Sequence, residues 1–326
     1  MWKKLIALNR HLTLAIPAMM LAGLIFGLYG GDPKQLKGMI LPFTFLMVYP
    51  MMVTLKIRQL FAGGDNKAQV MAQTINFAII PFVAFGLGKL FFAERPYMAL
   101  GLLLAALVPT SGMTISWTGF AKGNLAAAVK MTVLGLILGS LATPLYVSGL
   151  LGAQVSVDLA AIFTQIALIV FLPMALGYAS QRLLVKRLGQ EGFQQIAPRF
   201  PSLSSLGVLV IVFIAMALKA KAIVAAPEQL LMIFVPLLIL YSLNYMLSTC
   251  LGRMLLPRGD AIALVYGTVM RNLSIALAVA INAFGSAGSD TALVIALAYV
   301  IQVQSAAWYV KLTDRFFGPQ PVPSPA

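Results

Sequence analysis

Two residue types that build most metal and redox sites are almost missing. The 326-residue chain has one cysteine, Cys250, and one histidine, His11. A lone thiol closes no intrachain disulfide, and a lone imidazole near the amino end cannot build a metal cluster, so a disulfide scaffold and zinc chemistry drop out. Acid is scarce as well. The nine Asp and Glu residues fall in polar connectors, at the edges of apolar runs or near the carboxyl end. An intramembrane protease or lipid hydrolase needs a buried acid pair, a metal cluster or a serine with a base, and none of these is visible. No catalytic residue, metal ligand or cofactor is expected.

What is abundant is apolar surface. Hydrophobic residues make up 60% of the chain and charged residues 10%, with a mean hydropathy of +0.93, far beyond an ordinary soluble domain. The chain reads as an all-α polytopic membrane protein. The opening Met1-Trp2-Lys3-Lys4 is followed by neither a small-residue cleavage site nor a polar mature domain, so it leads into the first span rather than a signal peptide. The net charge of +14 is scattered between apolar runs instead of gathered on one face, which argues for topology signals and against nucleic acid. Membrane lipid is the expected environment.

A crossing of about 30 Å of hydrocarbon takes about 20 residues. Runs of that kind fall near 12–30, 38–55, 68–91, 97–119, 125–149, 159–180, 203–220, 229–251, 261–284 and 291–312, which is five plus five. With the amino terminus cytoplasmic, fifteen of the 23 basic residues fall in inside segments and six in outside ones. That bias puts both termini in the cytoplasm of a multi-pass inner (plasma) membrane protein. Lys130 and Arg271 are left over, inside spans. Pro17 in "AIPAMMLAGLIFG" recurs half a chain later as Pro173 in "FLPMALGYAS", and Pro81 in "AIIPFV" as Pro236 in "IFVPLL". Halves with an odd number of spans face opposite ways, so a duplication here is an inverted repeat, as in many secondary transporters.

The fourth span of each half is interrupted. "LVPTSGMTISW" puts Pro109, Thr110, Ser111 and Gly112 at mid-depth, followed by Met113 and Thr114. "YGTVMRNLS" puts Gly267, Thr268, Arg271, Asn272 and Ser274 there. Broken backbone survives in a membrane only where protein buries it or a polar cavity receives it, and matched breaks mark binding sites. The resumed helices present unpaired amides and the positive ends of their dipoles, which suits an anion or an oxygen-rich solute. Arg271 strengthens that field, and Lys130, on the next span, shares it. The alternatives are that backbone carbonyls tie up Arg271 and that Lys130 snorkels to the cytoplasmic face. Back-bonding to the helix is the corresponding alternative for the threonines and serines. Gln73, Asn76, Asn244, Gln302 and Gln304 could complete a polar cavity or simply bond neighbouring helices.

"VPTSGMTISWTGFAKGNLAAAVKMT" and "MRNLSIALAVAINAFG" resemble the bile acid/sodium symporter superfamily over essentially the whole chain, and "LMVYPMMVTLK" resembles its arsenical-resistance, arsenite efflux permease, branch. The resemblance implies ten helices, with the two broken ones, four and nine, crossing at the site. It implies a panel domain from residues 1–60 and 158–226 and a core domain from 61–157 and 227–316, ahead of a disordered tail at 317–326. Carried over position by position, most sodium ligands are replaced. Ile115 stands for an Asn, Ala128 for a Ser, Gly267 for a Glu and Arg271 for a Gln, while Thr132 and Asn272 are kept. The arsenite pattern Cys-x-x-Met-x-x-x-Trp becomes Thr110, Met113 and Trp117, without the thiol, and its Asn-x-Glu becomes Asn272-Leu273-Ser274.

The expectation is a secondary transporter that moves a small polar, anionic solute by alternating access. Thr110, Ser111, Gly112, Met113, Thr114, Arg271, Asn272 and Ser274 bind it. Lys130, Thr132 and Arg271 act as charge or coupling surrogates in place of sodium. Protons are a candidate coupling ion through Lys130, and the assembly is a monomer or homodimer. The rivals are arsenical efflux, a sodium-coupled organic anion symporter, a passive channel, and a receptor built on a transporter scaffold.

Overall fold

The computed structural model describes residues 12–55, 66–108, 110–153, 155, 159–225, 227–285 and 287–319. Pro109, His11 with the residues before it, and the tail from 320 lie outside these. Every regular element among the described residues is helical. In chain order they are α1 Leu12–Tyr29, α2 Lys37–Val53, α3 Asn66–Gln73, α4 Ile80–Phe91, α5 Pro96–Leu107, α6 Gly112–Phe120, α7 Leu125–Leu151, α8 Leu159–Ile166, α9 Leu172–Ile196, α10 Arg199–Ala225, α11 Glu228–Leu255, α12 Arg258–Val269, α13 Leu273–Ala283 and α14 Gly288–Phe317. Six stretches are long and apolar enough to cross a membrane, and α1, α2, α5 and α13 include shorter apolar runs. The protein is embedded in the membrane and passes through it several times.

Two junctions run on without a break, because wide π-turns at Thr74–Ile79 and Ala167–Phe171 join α3 to α4 and α8 to α9. Each turn ends two residues before a proline, Pro81 or Pro173. A proline ring removes a backbone donor and crowds the carbonyl four residues earlier, and widening the turn relieves both problems. At Pro81 the freed carbonyl is Phe77, and the Tyr146 hydroxyl donates to it at 2.5 Å.

Helix α10 packs along α1 and α2, and α9 packs on α2. The α1–α10 contact is backbone-close: a Cβ on Gly23 or Gly27 would overlap the Phe213 or Ala217 carbonyl. In the remaining helices, α5 packs on α4, α7 and α14, and α12 packs on α3, α6, α7 and α11. At one end of this second group a polar clamp ties both interrupted segments together. Arg258 donates from Nε to the Gly318 carbonyl at 2.8 Å, to the Lys122 carbonyl at 3.0 Å, and to Asp314 at 2.5 Å. Beside it, Asn124 donates to Asp260 at 2.6 Å from its side chain and to the Gly259 carbonyl at 2.9 Å from its backbone.

At the opposite end, α1, α2 and α10 face α13 and α14 across a cavity of about 700 Å³, whose lining includes Asp32, Lys219, Lys221, Ile281 and Ser289. One ion pair spans the two sides there, Lys219 Nζ to Asp290 Oδ1 at 2.8 Å.

Candidate functional site

Two short interruptions meet inside the second group of helices. The first separates α5 from α6. Thr110 has a φ of 62°, a left-handed conformation uncommon for a threonine, and its hydroxyl is fixed by donation to the Thr132 carbonyl at 3.1 Å. Thr132 in turn bonds back to the Ala128 carbonyl at 2.8 Å. Ser111 then caps α6: its hydroxyl accepts from Met113 N while Thr114 accepts from Ser111 N. This reciprocal capping box satisfies two of the helix's orphan donors. The sequence puts Gly112 in the break, whereas the structure has α6 already begun there. The capping box, closed one residue earlier, is the reason.

The second interruption, Met270 to Asn272, is also shorter than the sequence suggests, because Gly267 and Thr268 still belong to α12. The last carbonyls of a helix have no partner within it, and here side-chain amides supply them. Asn76 on the π-turn donates to the Gly267 carbonyl at 3.0 Å, and Asn244 on α11 donates to that of Thr268 at 2.8 Å. Gln302 on α14 receives Arg271 N on its Oε1 at 2.8 Å and gives its Nε2 to the Arg271 carbonyl at 3.1 Å. Asn272 N donates across the crossing to the Val108 carbonyl at 2.8 Å, which joins the two breaks directly. The Asn272 side chain caps α13 by accepting from Ile275 N at 3.3 Å.

The amino ends of α6 and α13 therefore converge, each capped by a side chain that faces a small gap. The gap is about 40 Å³ and lies between Thr54 and Leu55, at the end of α2, and Thr110, Ser111, Thr132 and Asn272. That is room for a few water molecules. Ile115 also lines it, which makes this wall apolar where the resemblance has an amide.

The remaining sequence-nominated residues are distributed around the crossing. Ser274 turns into the bundle and shares a hydrogen bond of 2.5 Å with the Tyr299 hydroxyl. Met113 is half-buried, and Lys130 is buried on α7. Gln304 is half-buried two residues beyond Gln302, on another face of α14. Gln73 has both side-chain polar atoms buried without a hydrogen-bond partner.

Arg271 is 2% exposed, and both terminal nitrogens of its guanidinium lack a hydrogen-bond partner among the described residues. Its group is not in the described lining of the gap; the Arg271 backbone is linked through Gln302 Oε1 to the Tyr241 hydroxyl of α11. Tyr241 was not singled out in the sequence, although it donates to Gln302 Oε1 at 2.9 Å. It lies one helical turn before Asn244, and Tyr299 lies one turn before Gln302. An i, i+3 aromatic beside a buried carboxamide is the signal that could have found both.

The sequence profile of the Sodium Bile acid symporter family matches residues 41–226. Over 94% of this chain and 92% of its own length, the arsenical-resistance protein Acr3 of Alkaliphilus metalliredigens is 26% identical. The uncharacterized transporter slr0944 of Synechocystis is 25% identical over 83% of this chain and 76% of its own. Sodium/bile acid cotransporter 7 of Danio rerio is 28% identical over 45% of this chain and 43% of its own. With more than half its length matched by the family profile, and with arsenical-resistance proteins among its relatives, the chain belongs to the sodium bile acid symporter family and is a membrane transport protein, not an enzyme.

Proposed function

We propose that the protein moves a small anionic solute through the gap at the crossing, by alternating access and without sodium coupling. The observation that carries this reading is the convergence of two capped helix amino ends, beside a buried and unpaired guanidinium, on a gap walled by α2. Oriented amides and helix dipoles favour negative charge. Thr110, Ser111 and Asn272 border the gap and bind the solute, while Arg271 and Lys130 raise the local potential from within the bundle. A cation is repelled there by the same charges. A gap with room for a few waters holds no larger solute unless α2 withdraws, so binding requires the two groups of helices to separate.

The packing supports two bodies. The described residues of 1–60 and 158–226 make up the proposed panel, and those of 61–157 and 227–316 the proposed core. It also supports ten passes related as five plus five. Exchanging the halves maps α1 on α10 to α9 on α2, α4 on α5 to α11 on α12, α5 on α14 to α12 on α7, and α6 on α7 to α13 on α14, and each of these pairs is packed. Both termini are cytoplasmic under this arrangement by the bias of basic residues.

Uptake by the purified protein in liposomes tests the reading, after a thermal-shift screen of organic acids, inorganic oxyanions and arsenicals has found the solute. Uptake is expected to be unchanged when sodium is replaced by potassium, and to lose at least tenfold in kcat/KM in Arg271→Gln. A strict sodium requirement, or wild-type kinetics in that variant, refutes it.

Arsenical efflux is the second reading, favoured by the near full-length similarity to an arsenical-resistance protein. Against it, the position of the branch's thiol is Thr110, and a hydroxyl is a poor ligand for a soft centre. Restored growth of an arsenic-sensitive strain expressing the protein decides in its favour; unrestored growth decides against it.

A further inference from the structure

We propose that Arg271 holds a small inorganic anion, of halide size, as a resident counter-ion inside the helix bundle, separate from the transported solute. The guanidinium is 2% exposed and its two terminal nitrogens have no hydrogen-bond partner among the described residues. A guanidinium stays charged in proteins, and a buried charge left unpaired is strongly destabilising. Neutralisation must come from somewhere.

The neighbouring side chains do not supply it. The ion pairs Lys219–Asp290 and Arg258–Asp314 lie at opposite ends of the bundle. The polar groups around the break are neutral and already spent on backbone. Gln302 Oε1 accepts from both Arg271 N and Tyr241, and its Nε2 serves the Arg271 carbonyl. The Asn76 and Asn244 amides serve the Gly267 and Thr268 carbonyls. A free carboxamide oxygen could accept a hydrogen bond from the guanidinium but would leave its charge in place.

The geometry also limits what can bind. Gln302 pins the Arg271 backbone on both sides, so the base of the side chain is fixed. The guanidinium is absent from the described lining of the gap, so a solute in the gap does not replace the counter-ion. Tyr241, Gln302 and Asn76, which bond to one another or to the backbone of the same break, are buried, so an ion enclosed among them must be compact. Gln73, on the segment that carries Asn76, has a further unmet donor. Its Nε2 is a buried donor without a partner, one turn before Asn76 along the segment that packs on α12, and anions in proteins gather such donors. With an anion on Arg271 the field at the gap comes from Lys130 and the two helix amino ends, so the tenfold loss expected of Arg271→Gln then reflects the emptied ion site rather than a charge removed from the gap.

The experiment uses the full-length protein purified in gluconate at constant ionic strength and titrated with sodium chloride, sodium bromide or sodium acetate, with thermal unfolding as the readout. A saturable rise of the midpoint by a few degrees with chloride and bromide is expected, as for any ligand that binds only the folded state. Arg271→Gln is expected to abolish that rise and Lys219→Gln to retain it. Broadening of the chloride-35 resonance by the unaltered protein, reversed by bromide, covers the case in which Arg271→Gln does not fold. The proposal is overturned by no halide response in either measurement, by an equal response in Arg271→Gln, or by a response to acetate alone, which would identify a solute carboxylate as the ligand. None of these readings requires flux, so the site can fail while the transport assignment stands, and the reverse.

Discussion

Gln302 is the residue on which the second break depends most. One side chain meets both free backbone groups of Arg271 and also receives the Tyr241 hydroxyl, and it is completely buried. Leucine at this position fills a similar volume but leaves a buried N–H and a buried C=O without partners. Each such group costs about 1 to 3 kcal/mol, so Gln302→Leu is expected to destabilise by about 2 to 6 kcal/mol, read as a lowered unfolding midpoint of the purified protein. Gln302→Glu keeps the acceptor and loses the donor to the carbonyl, and its midpoint should fall in between. An unchanged midpoint for the leucine variant would mean that the break finds other partners. At the first break the cost is smaller. Ser111→Ala removes the cap of α6 and should cost about 1 kcal/mol, whereas Ser111→Asp retains the cap while placing a carboxylate beside the gap. If the gap receives an anion, the aspartate variant keeps its stability and loses transport.

At the scale of elements, the interruptions were legible because polar and helix-breaking residues gather there against an apolar background, in "VPTSG" and "MRN". Their lengths were not. Whether Gly267 and Thr268 stay helical is decided by amides arriving from Asn76 and Asn244, far away in sequence, and no local pattern carries that information. Asn76, Asn244 and Gln302 were legible as buried polar groups, but their use on backbone carbonyls and amides depended on which helices meet. The prolines paired by the apparent repeat, Pro81 with Pro236 and Pro17 with Pro173, differ in local form: π-turns precede Pro81 and Pro173, while α11 runs through Pro236 as an ordinary helix. A proline fixes the lost hydrogen bond, and its neighbours decide how the backbone absorbs the loss. Helix contact is likewise set by small residues where backbones touch. Gly27→Val should separate α1 from α10 and reduce the yield of folded protein, measured as the monodisperse fraction after solubilisation. Gly38→Ala on α2, where an added Cβ meets nothing within 4 Å, should leave the yield unchanged or improve it through the better helix propensity of alanine.

For the molecule as a whole, the question is which contacts must break for the gap to take a solute. The clamp of Arg258, Asn124, Asp260 and Asp314 joins helices that the proposed division places in the core, and on that division should persist throughout the cycle. The pair Lys219–Asp290 joins α10 to α14, which the proposed division assigns to panel and core, at the rim of the large cavity. Its side chains are 20% and 37% exposed, and an ion pair that open to water contributes no more than about 1 kcal/mol. Such a contact can hold one arrangement without trapping it. If the bodies move relative to each other, linking these two positions covalently arrests transport even though neither residue borders the gap. In a Cys250→Ser background, Lys219→Cys with Asp290→Cys can be bridged by a short bis-methanethiosulfonate reagent and released by dithiothreitol. Uptake of the solute found by the thermal-shift screen should stop on bridging and return on reduction, while either single-cysteine variant treated alike keeps its rate. Undiminished uptake by the bridged protein would mean that α10 and α14 travel together, and that the solute crosses without separation of panel and core.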